Sequence, residues 1–241
     1  MAANLGGEPL RHGSPVRFLK ALFKLFKKKP VLIQMPAKLE NPAIFIANHS
    51  GAGGPITYTM YMPVFFMPWG AHAMTEGIKA RWNYLFHIFY KQKLKYGTLR
   101  SWILATLFSP FSGLLYRSVH LIPSYEDTRL ISTVRQSMKQ LLNNRRILIY
   151  PEDSSEGYQE KPERFLPGFV LLAKVYRKKT GIDIPVYPVR YSRSENTIVI
   201  GAPQTLGRFF DAGEASETIA ERCRKILNAL NESSAESTTT P

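Results

Sequence analysis

Four short apolar runs set the limits on how this chain can fold. Residues 43–47 (Ala-Ile-Phe-Ile-Ala), 147–150 (Ile-Leu-Ile-Tyr), 184–189 (Ile-Pro-Val-Tyr-Pro-Val) and 197–200 (Thr-Ile-Val-Ile) suit strands buried in a sheet. Stretches with helical spacing lie between and after them. One face of residues 130–142 carries Leu130, Ile131, Val134, Met138, Leu141 and Leu142, and Asn143-Asn144 ends it. Residues 215–230 line up Ile219, Cys223, Ile226, Leu227 and Leu230, with a supporting Glu221–Lys225 pair. Residues 168–176 read as another helix, Pro55 opens one after a glycine turn, and residues 124–127 hold a capping-box pattern. Strands alternating with helices predict an α/β layered domain. No internal repeat is visible.

The composition agrees. With 44% hydrophobic and 21% charged residues over 241 positions, the chain can bury a full core and is not disordered as a whole. We expect one domain over 31–232, disordered ends at 1–13 and 233–241, and a basic amphipathic helix over 14–30. Cys223 is the only cysteine, which excludes a disulfide scaffold and is compatible with a reducing compartment.

The charge is uneven. Lys and Arg number 32 against 18 acids, a net +14. Residues 1–30 hold seven Lys/Arg and one acid, and residues 77–120 hold seven and no acid, so these segments supply +13 of it. Such asymmetry favours a surface that meets something anionic. In the first segment Val16, Leu19, Leu22, Phe23 and Phe26 oppose Arg17, Lys20, Lys24, Lys27 and Lys28. That pattern fits a helix in the plane of an anionic membrane, and also an ordinary helix packed on the domain. In the second, Trp82, Tyr84, Phe86, Phe89, Tyr90, Tyr96 and Trp102 interleave with the basic residues. They read as an interfacial rim, as a dock for an acidic carrier, or as core aromatics under a solvated basic face. Residues 101–116 lack charge, but Pro110 and Gly113 interrupt them, so no membrane-crossing helix is expected. Nothing in residues 17–29 reads as a secretory signal. No nucleic-acid motif accompanies the charge, and nucleic acid is not expected as a partner. Zinc-type spacings and phosphate-loop or dinucleotide fingerprints are missing, so neither a bound metal nor a tightly held cofactor is expected.

Three of the apolar runs end in polar signals: Asn48-His49-Ser50, Pro151-Glu152-Asp153-Ser154, and Arg190 after Pro188-Val189. Open α/β domains place their sites at the carboxyl ends of strands. His49 fits a general base, although a histidine taken singly at such a place is more often a hydrogen-bonded turn residue. Glu152 fits a site acid and equally a loop-holding one.

The order and spacing of these blocks resemble the glycerolipid acyltransferase superfamily, the lysophosphatidic acid and glycerol-3-phosphate acyltransferases. Residues 44–50 (Ile-Phe-Ile-Ala-Asn-His-Ser) resemble the strand leading to Asn-His-x4-Asp. Residues 119–124 resemble the strand before the second block, and residues 147–152 the strand and Pro-Glu-Gly of the third. Phe165-Leu166-Pro167-Gly168 is similar to the helix start that follows, and residues 184–189 resemble the fourth block. The resemblance implies a central mostly parallel sheet flanked by helices. It implies acyl transfer from acyl-CoA or acyl-carrier protein to the hydroxyl of a lysophospholipid, by a divergent, monotopic member on the cytoplasmic face of a membrane. His49 and Glu152 would be catalytic. Asn48, Ser50, Gly51, Gly53, Gly54, Pro151, Asp153, Ser154, Gly168 and Arg190 would bind substrate, with the amides of residues 51–54 stabilising the oxyanion.

Departures from the pattern matter as much. The expected Asp five residues after His49 is Gly54. An Arg expected near Tyr125–Glu126 is absent, Arg129 being nearest. Asp153 and Ser155 replace the Gly and Arg of the third block. Either another acid orients His49 or the activity is low. Glu152 is preferred, ahead of Asp153 and Glu76. Lys161, Arg164 and Arg190 could substitute for the phosphate-binding arginines, but Glu152, Asp153 and Glu156 crowd the same turn, which favours an acceptor less anionic than lysophosphatidic acid or a phosphate held from another side. The alternative is a non-catalytic lipid- or carrier-binding relative that has lost the His–Asp dyad.

Overall fold

The computed structural model describes Gly13, Val16 and residues 28–51, 53–155 and 157–230. The expectations for residues 1–13, for the helix over 14–30 and for the tail 233–241 lie, but for a few positions, outside the described residues.

Seven strands form one sheet: β1 (Val31–Gln34), β2 (Ala43–Ala47), β3 (Met67–Ala71), β4 (Ile122–Ser124), β5 (Arg146–Ile149), β6 (Val186–Ser192) and β7 (Thr197–Ile200), in the order β1-β7-β6-β2-β5-β3-β4. Every neighbouring pair is parallel except β6–β7. The helices are α1 (Gly53–Tyr61), α2 (Ile78–Asn83), α3 (Thr98–Ser118), α4 (Leu130–Leu142), α5 (Gly168–Thr180), α6 (Gly207–Asp211) and α7 (Ser216–Ala229). A π-helical stretch, Tyr84–Lys93, continues α2.

The apolar runs are continuous because both faces of the sheet are covered. Ile44, Ile46, Ile147, Ile149 and Val186 pack with Val134 and Met138 of α4, Phe169 and Leu172 of α5, and Ile219 and Leu227 of α7. Ala43, Phe45, Ala47, Leu148, Tyr187 and Val189 pack with Tyr58 of α1 and with Phe66 on the opposite side. Cys223 is buried on the inner side of α7, where burial pushes its thiol up to about 12, so it packs and does not react.

Three sequence readings need correction. Strands β1 and β3 complete the sheet beyond the runs recognised; Pro68 and Gly70 give β3 the composition of a turn. Helix α3 is not interrupted at Pro110 and Gly113. Pro110 sits on its exposed side, and Gly113 lets the Arg81 guanidinium approach to where a Cβ would lie 2.8 Å from Cζ. The capping box also fails. Ser124 closes β4, and the Asp127 carboxylate accepts the Arg129 N–H (2.8 Å) just before α4.

Helices α2 and α3 and the π-helical stretch form a unit beside the sheet, around Met74, Leu85, Phe86, Tyr90 and Ala105. The C-terminal end of the π-helix touches the functional site.

Candidate active site

Strand register positions the key pair. In the parallel β2–β5 ladder Ile46 lies opposite Ile149. His49 and Glu152 each follow three residues later, so the two chains deliver them side by side. Glu152 Oε2 lies 3.7 Å from His49 Nδ1, with the Glu152 side chain 1% and the His49 side chain 17% exposed. The carboxylate is fixed by the main chain: Oε2 accepts the His49 N–H (3.1 Å) and Oε1 the Gln159 N–H (2.8 Å). Nδ1 has no hydrogen-bond partner. A shift of under 1 Å would close the Nδ1–H···Oε2 bond.

The imidazole lies between Tyr150 (centroids 4.5 Å apart) and Tyr158 (4.3 Å, stacked). Burial lowers its pKa below 6.5; Glu152 works against this and the Lys93 ammonium adds to it. Burial therefore favours the neutral ring, the form a base must have. With Nδ1 turned to the carboxylate, the tautomer that pairs with it carries hydrogen there and leaves the Nε2 lone pair free.

Lys93 was not singled out from the sequence as a site residue. It comes from the last turn of the π-helix, a geometry often found at functional sites. Its Nζ donates to Ser154 Oγ (2.8 Å) and sits 5.3 Å over the Tyr158 ring. Burial pulls its pKa down, and Glu126, Glu152 and Asp153 oppose that. The neighbouring Gln92 donates to the Ser155 carbonyl (3.3 Å). The only sequence signal was a basic run, Lys91–Lys93–Lys95, whose direction depends on the π geometry.

Other proposed substrate residues hold the frame. Asn48 is fully buried and already bonded at both ends. Its Nδ2 donates to the carbonyls of Glu160 (3.1 Å) and Tyr191 (3.0 Å); its Oδ1 accepts from the Tyr58 hydroxyl (2.6 Å) and the Tyr191 N–H (3.0 Å). Asn48 thus ties β2 to β6. Arg190 donates to the Asn228 carbonyl (3.2 Å) on α7. Pro151 accepts from the Leu166 N–H (2.7 Å), and Asp153 N–H donates to the Arg164 carbonyl (3.1 Å), so residues 151–166 return as a closed loop. The Ser155 hydroxyl and then the Ser155 N–H (3.2 Å) donate to the Asp153 carboxylate and hold its pKa below the usual range, with help from Arg164 3.7 Å away. Gly168 opens α5 against Trp69, where a Cβ would lie 3.3 Å from the ring. Glu76 faces His72, and Arg129 pairs with Asp127.

Ser50 (φ 43°) and Gly51 (φ 70°) reverse the chain after His49, and α1 starts at Gly53. The reversal packs Gly54 onto the His49 carbonyl: a Cβ at position 54 would lie 1.8 Å from that oxygen. A carboxylate cannot be carried there. Gly54→Asp is expected to destabilise the protein by about 3 kcal/mol or more, lowering Tm by roughly 6–12 °C, without raising activity. Thermal melts check this; an unchanged Tm contradicts it.

No protein-family model and no curated protein matches the chain. Solved structures do. The crystal structure of the 1-acyl-sn-glycerophosphate (LPA) acyltransferase PlsC from Thermotoga maritima covers 94% of this chain and 82% of its own length, with TM-score 0.53 and 10% sequence identity. The chain has the glycerolipid acyltransferase fold. The sheet and its helical layers thus share the architecture of PlsC.

Proposed function

We propose that the protein moves a fatty acyl group from a thioester, acyl-CoA or acyl-carrier protein, to the hydroxyl of a lysophospholipid of the 1-acylglycerol-3-phosphate kind. The observation that carries this reading is the Glu152 carboxylate 3.7 Å from Nδ1 of His49, an acid beside the ring in a chain that has glycine at position 54. His49 Nε2 takes the hydroxyl proton while the oxygen attacks the thioester carbonyl. Amides of Gly51, Gly53 and Gly54, at the positive end of α1, stabilise the developing oxyanion. The adduct collapses with cleavage of the C–S bond, and the imidazolium returns its proton to the departing thiolate. Glu152 supports the imidazolium while it exists. No covalent acyl-enzyme is needed.

Lys93 holds the anionic group of a substrate, in the role the missing arginines would have filled. Lys93→Met is expected to raise KM for that substrate roughly tenfold with kcat little changed, since one charged hydrogen bond contributes about 1.5–3 kcal/mol. It also removes a charge that lowers the His49 pKa, so the acid limb of kcat/KM moves up in pH. Steady-state kinetics across pH read both; a fall in kcat alone contradicts the assignment.

The test of the function is formation of a diacyl lipid from purified protein, palmitoyl-CoA and a 1-acyl lysophospholipid, with thiol released one for one. A second reading, a lipid- or carrier-binding relative without catalysis, is favoured by one feature: Tyr150 and Tyr158 cover both faces of the His49 ring. It is supported by tight lysolipid binding with no thiol release from either donor.

A further inference from the structure

Helix α3 is built inside out. Its buried side carries Ser101, Ala105, Ser109, Ser112 and Gly113, small residues that let it lie close on α2 and the π-helix. Its large apolar side chains point the other way: Leu99 is 73% exposed, Trp102 51%, Ile103 42%, Leu107 65%, Phe111 68% and Leu114 57%. At 100° per residue these six fall within one half of the helix circumference and extend about 22 Å along it. A solvated helix shows the reverse arrangement. A contiguous exposed apolar strip of this size marks an interaction surface.

We propose that this face of α3 docks on an anionic phospholipid bilayer, with the helix in the membrane plane and its apolar side chains in the acyl–headgroup boundary. The charges at its rim select that occupant. Arg100 and Arg117 are exposed near the two ends of the strip, and Lys79, Lys91 and Lys95 are exposed on the elements beside it. Residues 77–120 contain no acid. Such a rim complements phosphate headgroups and repels a second copy of itself. Arg100 stacks on Tyr96 (3.9 Å to the ring centroid), holding a cation and a ring at the edge of the strip. The helix lies along the surface and does not cross: no helix among the described residues is long and apolar enough to span a membrane, and the small side of α3 is occupied by the protein. The docked unit reaches the site through Phe89, whose ring lies 6.3 Å from that of Tyr158, and through Lys93 on Ser154.

The test uses the full chain and vesicles of phosphatidylcholine with and without phosphatidylglycerol at physiological salt, and does not depend on acyl transfer. We expect binding to the anionic vesicles, weakened roughly tenfold or more by Leu107→Ser combined with Phe111→Ser at unchanged Tm. Brominated lipid should quench tryptophan fluorescence, and Trp102→Phe should remove that quenching. Failure to bind overturns the proposal. So does binding that the double variant leaves intact with Trp102 unquenched, which would place the contact elsewhere in the chain. A dimer that the double variant dissociates, with no affinity for vesicles, would assign the face to a second copy and overturn it too.

Discussion

A His49→Ala protein is expected to lose about 10³-fold or more in acyl transfer while keeping its fold. The ring sits at the carboxyl end of β2, largely buried, and its Nε2 is the atom left free to accept a proton. Among the described residues no hydrogen bond draws on that nitrogen, and no group of three metal-ligating side chains includes the ring. Truncation to Ala removes the stacking with Tyr150 and Tyr158, so some stability is lost with it. The measurement is thiol release and diacyl product at saturating donor, on protein whose Tm shows it folded. Activity near that of the natural chain removes the base assignment. His49→Gln separates the two effects, since it keeps a planar polar side chain of similar reach and lacks a base.

Glu152→Gln is expected to cost about 10²–10⁴ in kcat/KM, in the range found when an orienting carboxylate becomes an amide. The sign of its pH effect is fixed. Burial already holds the His49 pKa below 6.5, and Glu152 is the group that raises it. Removing the charge lowers the pKa further, so the acid limb of kcat/KM moves to lower pH even as the rate falls. Lys93→Met moves that limb the opposite way, because Lys93 lowers the His49 pKa. A merely structural role for Glu152, holding the His49 and Gln159 amides, would lower stability and leave kcat/KM of the folded protein little changed. Rates across pH for the two variants distinguish these roles, and a Glu152→Gln rate within about threefold of the natural one contradicts the dyad.

The central sheet was legible because its strands are apolar on both faces, and β2, β5, β6 and β7 stand where the runs indicated. β3 was not, since Pro68 and Gly70 make it look like a turn, and β1 is a short edge strand whose residues are mostly exposed. The proximity of His49 and Glu152 follows from equal spacing beyond paired residues, a quantity the sequence contains once the pairing of β2 with β5 is known. The reason for Gly54 is steric and needs the backbone: the sequence shows only that an expected acid is missing. Asn48 reads as a ligand-binding motif residue, yet its amide is consumed by four bonds inside the protein. Lys93 reaches the site through a π-helical register that shifts side chains off the ordinary helical face, so periodicity gives no sign of it. In α3 the small buried residues and large exposed ones weaken any amphipathic signal, and a charge-free stretch with Pro110 and Gly113 looks broken where the helix continues.

The state of the His49 ring tests the central claim most directly. The chain has five histidines, and nitrogen-15 NMR of histidine-labelled protein, with the His49 signal assigned by its loss in His49→Ala, reads tautomer and titration together. The account predicts hydrogen on Nδ1, a bare Nε2 at neutral pH, a pKa below 6.5, and a further fall of that pKa in Glu152→Gln. Hydrogen on Nε2, or a titration that Glu152→Gln leaves unmoved, would contradict it.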